Sequence, residues 1–135
     1  NSLYLHDMPQ AGTATVETTT VDDFLEGQGW PKIDLVKIDV EGSEPLVWEG
    51  MSLLRQKSPN LKLIMEFNPA LLRSAGVDPI PFLEEPMRDG FDVFWIDEEK
   101  GLLPVEPPVG SEYTQQMIAR LEAREISVNL FCTKQ

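Results

Sequence analysis

The sequence KIDVEGSE, residues 37 to 44, closes an apolar run with three acidic residues gathered around one glycine. The run itself, IDLVKID (33 to 39), is mostly apolar apart from its lysine, which predicts a buried parallel strand covered on both faces. Apolar residues at helical spacing then follow from Pro45 to Ser58, and a proline is tolerated in the first helical turn. This stretch therefore predicts a strand, an acidic turn and a single helix.

The remaining segments repeat this alternation of strands and helices. Further strands are predicted at 61–67, 91–97 and 126–134, and helices at 21–27, 70–76, 79–90 (interrupted at Pro86) and 111–124 (capped by Ser111). Residues 97 to 110 are predicted as turn and loop, because proline and glycine punctuate them. The pattern indicates an α/β domain with a mainly parallel sheet, and 135 residues suffice for one domain or part of one.

The composition limits the classes of partner. The formal charge of −12 repels phosphate backbones, so nucleic acid is not expected as a partner. Apolar runs fall short of the roughly 20 residues that span a bilayer, which predicts no membrane segment. Cys132 is the one cysteine, which excludes an internal disulfide and a cysteine-only zinc site and favours a reducing, cytoplasmic setting.

Acidic residues end two successive predicted strands, at Asp39 and Glu66. Ligands of open α/β sheets bind outside the carboxyl ends of the strands. If the two strands are neighbours, Glu41 and Glu44 share the same edge of the sheet, and Gly42 allows a sharp turn or a close approach of backbone to ligand. The arrangement predicts a pocket that favours cations.

The same residues also fit a purely structural reading. Asp39, Glu41 and Ser43 precede a helix, where acidic and hydroxyl side chains cap free amides and oppose the positive end of the dipole. Glu66, followed by Asn68, is compatible with a plain strand end and an Asx turn. Both readings stay open at the level of the sequence.

Other motifs are weaker candidates. Gly27-Gln28-Gly29 follows a predicted helix instead of a strand, so it indicates a loop and not a dinucleotide site. His6 is the one histidine and lies in a polar leading segment, where we expect a surface position. Cys132, inside the last predicted strand, is expected to be a small buried hydrophobe.

Taken in order, the segments VETTTVDDFL, IDLVKIDVEGSEPLVWEGM, LKLIMEFNP and VNLFCTK resemble the FkbM-type methyltransferase family. The family is similar to class I S-adenosylmethionine-dependent methyltransferases, which have a Rossmann-like sheet. The resemblance makes the four predicted strands numbers 4 to 7 of that sheet, in the order 4-5-7-6, with the last one antiparallel and helices on both faces. The first strand and its glycine-rich cofactor loop have no counterpart, so residues 1 to 135 are expected to form a single partial domain, the C-terminal half.

The activity that the resemblance implies is methyl transfer from S-adenosylmethionine to a hydroxyl of a small molecule or sugar. The implied catalytic residues are Asp39, Glu41 and Glu66, the implied cofactor contacts are Asp39 and Gly42, the implied substrate contacts are Glu44 and Asn68, and no metal ligand is assigned. Asp39 would face the amino-acid end of the cofactor or the acceptor hydroxyl. The isolated 135-residue chain is expected to be inactive.

Two other functions fit the same acidic turn. A magnesium-dependent phosphoryl-transfer enzyme would use Asp39 as its nucleophile, because such chemistry also places an acidic turn after an apolar strand. A non-catalytic module would bind cationic ligands or proteins through its acidic edge. Whichever applies, a sheet cut beside its fourth strand exposes an unpaired edge, which predicts self-association through that edge.

Overall fold

The computed structural model describes residues 15–106 and 109–134. His6, predicted at the surface, lies outside the described residues. The elements in chain order are α1 (Val21–Gly27), β1 (Leu35–Ile38), α2 (Glu44–Glu49), α3 (Ser52–Lys57), β2 (Lys62–Phe67), α4 (Pro69–Ser74), α5 (Pro79–Arg88), β3 (Asp92–Asp97), β4 (Gly101–Pro104), α6 (Glu112–Arg124) and β5 (Val128–Thr133). The α/β prediction is confirmed.

One sheet contains all the described strands, in the order β1-β2-β5-β3-β4. β1 and β2 are parallel, and the other neighbouring pairs are antiparallel. β1, β2 and β3 therefore run in one direction, while β5 lies between β2 and β3 in the opposite direction. The prediction of a mainly parallel sheet is wrong for the pairing of neighbours, because the inserted β5 separates two strands of like direction.

The strand β1 departs from its prediction in burial. It is a parallel strand, as expected, but it lies at the edge of the described sheet. Leu35 is 53% exposed, whereas Ile38 at the other end is buried. The apolar run at 33 to 39 was predicted to be buried on both faces, but the strand that it forms is buried on one face only.

Alternation along β2 separates a covered face of the sheet from an open face. Leu63, Met65 and Phe67 are buried on the covered face, together with Leu130 of β5. The core cluster joins these residues to buried side chains of the helices. The open face carries half-buried apolar side chains that are not part of that cluster: Ile64, Phe94, Ile96 and Phe131. Helices were expected on both faces, and within the described residues they pack on the covered face.

The single helix predicted after the acidic turn is two helices, α2 and α3, that break at Gly50. The cause lies in α1, some 30 residues earlier. The carboxylate of Asp22 accepts hydrogen bonds from the amides of Leu53 (2.8 Å) and Leu54 (3.0 Å), while the amide of Asp22 donates to the carbonyl of Gly50 (2.9 Å). Asp22 thus caps a new helix start that local sequence does not specify.

The other predicted helices are confirmed with small differences. α1 ends at Gly27, and Ser111 caps α6 by accepting a hydrogen bond from the amide of Thr114. α5 continues through Pro86 to Arg88, so the predicted interruption is wrong. Pro86 is buried against the core, and this packing offsets the one backbone hydrogen bond that a proline removes.

The predicted loop at 97 to 110 contains a strand, β4. Asp97 accepts hydrogen bonds from the amides of Glu99 (3.0 Å) and Lys100 (2.8 Å), which closes a compact turn after β3. The chain then pairs back along β3 until Pro104. Because β4 is an edge strand of four residues, a terminal proline costs it no interior ladder bond.

Candidate active site

The carboxyl ends of β1 and β2 lie side by side. The parallel register pairs Ile38 with Met65, and the next residues along the two strands are Asp39 and Glu66. The sequence predicted a shared edge if these strands were neighbours, and that condition is met. We call Asp39, Glu41 and Glu66 the acidic rim.

The chain leaves β1 through a tight turn, Val40 to Ser43, which we call the β1 turn. The amide of Ser43 donates to the carbonyl of Val40 (3.3 Å), and the two central residues have positive φ: 52° at Glu41 and 94° at Gly42. Positive φ at both central residues is the mark of a type I′ turn and is costly for a residue other than glycine. Glu41 adopts a conformation that its side chain disfavours.

Gly42 is required for close packing as well as for its positive φ. A Cβ at this position would lie 3.2 Å from the Cβ of Leu71 and 3.2 Å from its carbonyl oxygen, in α4. The close backbone approach that the sequence suggested for a ligand is therefore made to α4. Contact between Gly42 and the cofactor stays a prediction.

Glu44 lies inside the fold, 1% exposed, and not on the acidic rim. One carboxyl oxygen accepts a hydrogen bond from the amide of Val40 (3.1 Å), and the other accepts from the amide of Gly42 (3.0 Å). The Glu44 side chain thus holds the β1 turn from within, and its contact with substrate stays a prediction. The sequence shows that Glu44 is an acidic residue at a helix start, but it does not reveal which amides donate hydrogen bonds to it.

The acidic rim itself faces solvent or is partly open to it. Asp39 forms an ion pair with Lys37 (Nζ to Oδ2, 2.6 Å), and its side chain keeps 46% exposure. Glu41 is exposed, and Glu66 is half-buried in β2, opposite Asn129 of β5. Exposed carboxylates of this kind can bind an ammonium group or accept a proton from a hydroxyl.

The structural reading left open by the sequence holds for Asn68. Its side-chain oxygen accepts a hydrogen bond from the amide of Leu71 (3.2 Å), which makes Asn68 the cap of α4. Ser43 occupies the matching position before α2, but its hydroxyl caps nothing. That hydroxyl is buried without a hydrogen-bond partner. Helix capping, predicted for Ser43, is thus wrong there, and at Asn68, where an Asx turn was predicted, the side chain caps a helix.

Two ionisable groups away from the acidic rim have shifted pKa values. Backbone hydrogen bonds from Lys100 and Glu99 lower the pKa of Asp97. Burial raises the pKa of the Cys132 thiol to about 12. Cys132 is buried in β5, which confirms its prediction as a small hydrophobe.

The described part of the chain contains no group of three or more histidine, cysteine or acidic side chains placed to hold a metal ion. None of its helices is long and apolar enough to cross a bilayer.

Comparison with known proteins adds a family. The model of the methyltransferase FkbM domain matches residues 2–80, more than half of the chain. The chain is also 38% identical over 74 residues to the hexuronic acid methyltransferase AglP of Haloferax volcanii, which covers 55% of this chain and 28% of that protein. The chain thus spans less than a third of the length of this relative. Among solved structures there is no match.

Proposed function

Because the chain belongs to the FkbM methyltransferase family, we propose that the native protein containing it transfers a methyl group from S-adenosylmethionine to an acceptor hydroxyl. The strand arrangement supports the proposal. β1, β2, β5 and β3 follow one another in the order expected of strands 4, 5, 7 and 6 of a class I methyltransferase, and β5 is the reversed strand. On this proposal, residues 15 to 134 belong to the C-terminal part of a Rossmann-like domain.

The observation that carries the proposal is the pair of carboxylates at the ends of the parallel strands β1 and β2. In the reaction, the acceptor oxygen attacks the methyl carbon, the bond from carbon to sulfur breaks, and sulfur keeps the electron pair as the neutral thioether. The acceptor proton passes to a base. S-adenosylmethionine carries ammonium and sulfonium charges, which an anionic rim complements. Catalysis of such an in-line displacement rests chiefly on positioning.

Each carboxylate of the acidic rim has a role in this scheme. Asp39 would face the amino-acid end of the cofactor or the acceptor hydroxyl. Glu41 and Glu66 bind the acceptor or receive its proton. Glu41 is exposed and Glu66 is half-buried, which leaves both open to a ligand. Asn68 would bind substrate through its side-chain NH2 group, since its side-chain oxygen already accepts from the amide of Leu71.

A sugar is the acceptor class to test first, because the relative in Haloferax volcanii is a hexuronic acid methyltransferase. The proposed setting is the cytoplasm, where a lone thiol stays reduced. The outer side of β1 has no strand partner among the described residues, which supports self-association through this edge. Sedimentation equilibrium of the 135-residue chain tests this point, and a monomer at all concentrations would contradict it.

The test of the function is calorimetric titration of S-adenosylmethionine into the longest native chain that contains this segment. The 135-residue chain and an Asp39→Asn variant of the longer chain are titrated in parallel. We expect binding by the longer chain, none by the 135-residue chain, and weaker binding or slower turnover by Asp39→Asn.

Glu49→Gln is the matched control, because Glu49 is an exposed acid at the far end of α2. It should bind and turn over like the unmodified chain. A folded longer chain that does not bind S-adenosylmethionine would refute methyl transfer. If that chain hydrolysed phosphate esters with magnesium instead, the phosphoryl-transfer reading would replace it.

A further inference from the structure

Glu44 is unusual in its burial. The buried polar or charged residues of the described chain are Ser43, Glu44 and Thr114, and Glu44 alone among them has an ionisable side chain. A carboxyl group is costly to bury unless its oxygens are hydrogen-bonded. Both oxygens of Glu44 are used, and the donors are amides of the residues just before it in the chain. Its interactions are therefore devoted to the β1 turn.

The β1 turn needs such a support. Glu41 is held at a φ of 52°, which a residue other than glycine rarely adopts. The backbone can persist there only where its surroundings fix it. Three interactions do so: the hydrogen bonds from the amides of Val40 and Gly42 to Glu44 inside the turn, and the close approach of Gly42 to Leu71 outside it.

The acidic rim depends on this turn for its geometry. Asp39 directly precedes Val40, and Glu41 is the first central residue of the turn, so both carboxylates lie within one residue of an amide that Glu44 binds. A change of backbone conformation at Val40 or Gly42 would therefore displace both carboxylates together. Glu66 is held separately, by the pairing of β2 with β5.

We infer that Glu44 is a positioning residue of the methyltransferase site: it holds the β1 turn from within and so fixes where Asp39 and Glu41 meet the ligands. The inference rests on the proposed function for its catalytic meaning. On this inference Glu44, whose two carboxyl oxygens accept from backbone amides, acts through Asp39 and Glu41. Such a role matters because small misplacements of reacting groups are costly in rate.

The test compares Glu44→Ala and Glu44→Gln in the longest native chain, with Glu49→Gln as the control from the same helix. Alanine removes both acceptors, whereas the carbonyl oxygen of glutamine restores one. We expect kcat to fall by about 10- to 100-fold in Glu44→Ala, with a smaller change in KM. Glu44→Gln should recover part of this loss, and Glu49→Gln should match the unmodified chain.

A second readout does not depend on activity. The amides of Val40 and Gly42 should be protected from hydrogen exchange in the unmodified chain and should exchange faster in Glu44→Ala, while those of Leu53 and Leu54 stay unchanged. The turnover rates of all variants are divided by the folded fraction, which circular dichroism measures. A merely structural role would lower that fraction and leave kcat per folded molecule unchanged in both Glu44 variants.

Each outcome separates the two proposals. Faster exchange at Val40 and Gly42 with unchanged kcat and KM would overturn the positioning role while leaving methyl transfer intact. Unchanged hydrogen exchange at Val40 and Gly42 in folded Glu44→Ala would show that Glu44 does not hold the β1 turn. An unmodified chain that binds no S-adenosylmethionine would overturn the proposed function, and the exchange experiment would still decide whether Glu44 holds the turn.

Discussion

The two acidic strand ends are similar in sequence and differ in how they are built. After β1 the chain makes a turn with two positive φ angles around a buried carboxyl group before α2 begins. After β2 it passes through one residue, Asn68, in an ordinary extended conformation and enters α4. The first end is costly to form and the second is not. Strain of this kind tends to be kept at functional sites, which directs attention to the β1 turn.

The largest effect that separates the two ends is expected from Gly42→Ala. A Cβ there must accept a φ of 94° and a 3.2 Å approach to both the Cβ and the carbonyl oxygen of Leu71. The φ costs about 1–2 kcal/mol and the crowding about 1–3 kcal/mol, so the free energy of unfolding should fall by roughly 2–5 kcal/mol. Urea denaturation measures the change, and labelling of the buried thiol of Cys132 reports unfolding independently.

Gly29→Ala provides the matched control for this substitution. Gly29 has a φ of 72°, but an added Cβ would meet no atom within 4 Å. Its cost should be the conformational part alone, about 1–2 kcal/mol. If the two variants lost equal stability, the contact between the β1 turn and α4 would contribute nothing, and the contrast between the strand ends would rest on φ alone.

At the end of β2, the corresponding test is Asn68→Ala. The substitution removes the side-chain acceptor for the amide of Leu71, and loss of such a cap typically costs about 1 kcal/mol. Urea denaturation of the same chain measures the loss, with Asn60→Ala as an exposed control in a turn. The substrate role predicted for Asn68 requires in addition a rise in KM for the acceptor. Lost stability with unchanged KM would leave Asn68 as a cap and nothing more.

Sequence was sufficient for the features that depend on neighbouring residues. The strand, acidic turn and helix start at 33 to 45 follow from local periodicity and turn chemistry. The placement of Asp39 and Glu66 at one edge of the sheet follows, once their strands are neighbours, from a general property of parallel strands, whose carboxyl ends point the same way. At Asn68 the sequence indicated an Asx turn as one of two readings, and the side chain caps α4.

Sequence failed where a residue's role depends on a distant partner. The break between α2 and α3 needs Asp22, about 30 residues away, and the strand β4 exists because β3 offers it an edge. The burial of Glu44 follows from a turn that curls its amides toward the following helix, which an acidic residue in a charged stretch does not reveal. The sequence did not predict the open face of the sheet, because an apolar strand has the same residue pattern whether helices cover one face or both.

The smallest effect is expected from Ser43→Ala. This substitution compares the two strand ends at the residue that directly precedes each helix. Ser43 precedes α2 as Asn68 precedes α4, yet its hydroxyl is buried without a partner. An unsatisfied buried hydroxyl carries a desolvation cost that alanine avoids, so the free energy of unfolding should stay within about 0.5 kcal/mol or rise slightly. Urea denaturation beside Asn68→Ala gives the comparison directly. A loss near 1 kcal/mol at Ser43 would mean that its hydroxyl does cap α2, and that both strand ends rely on the same device.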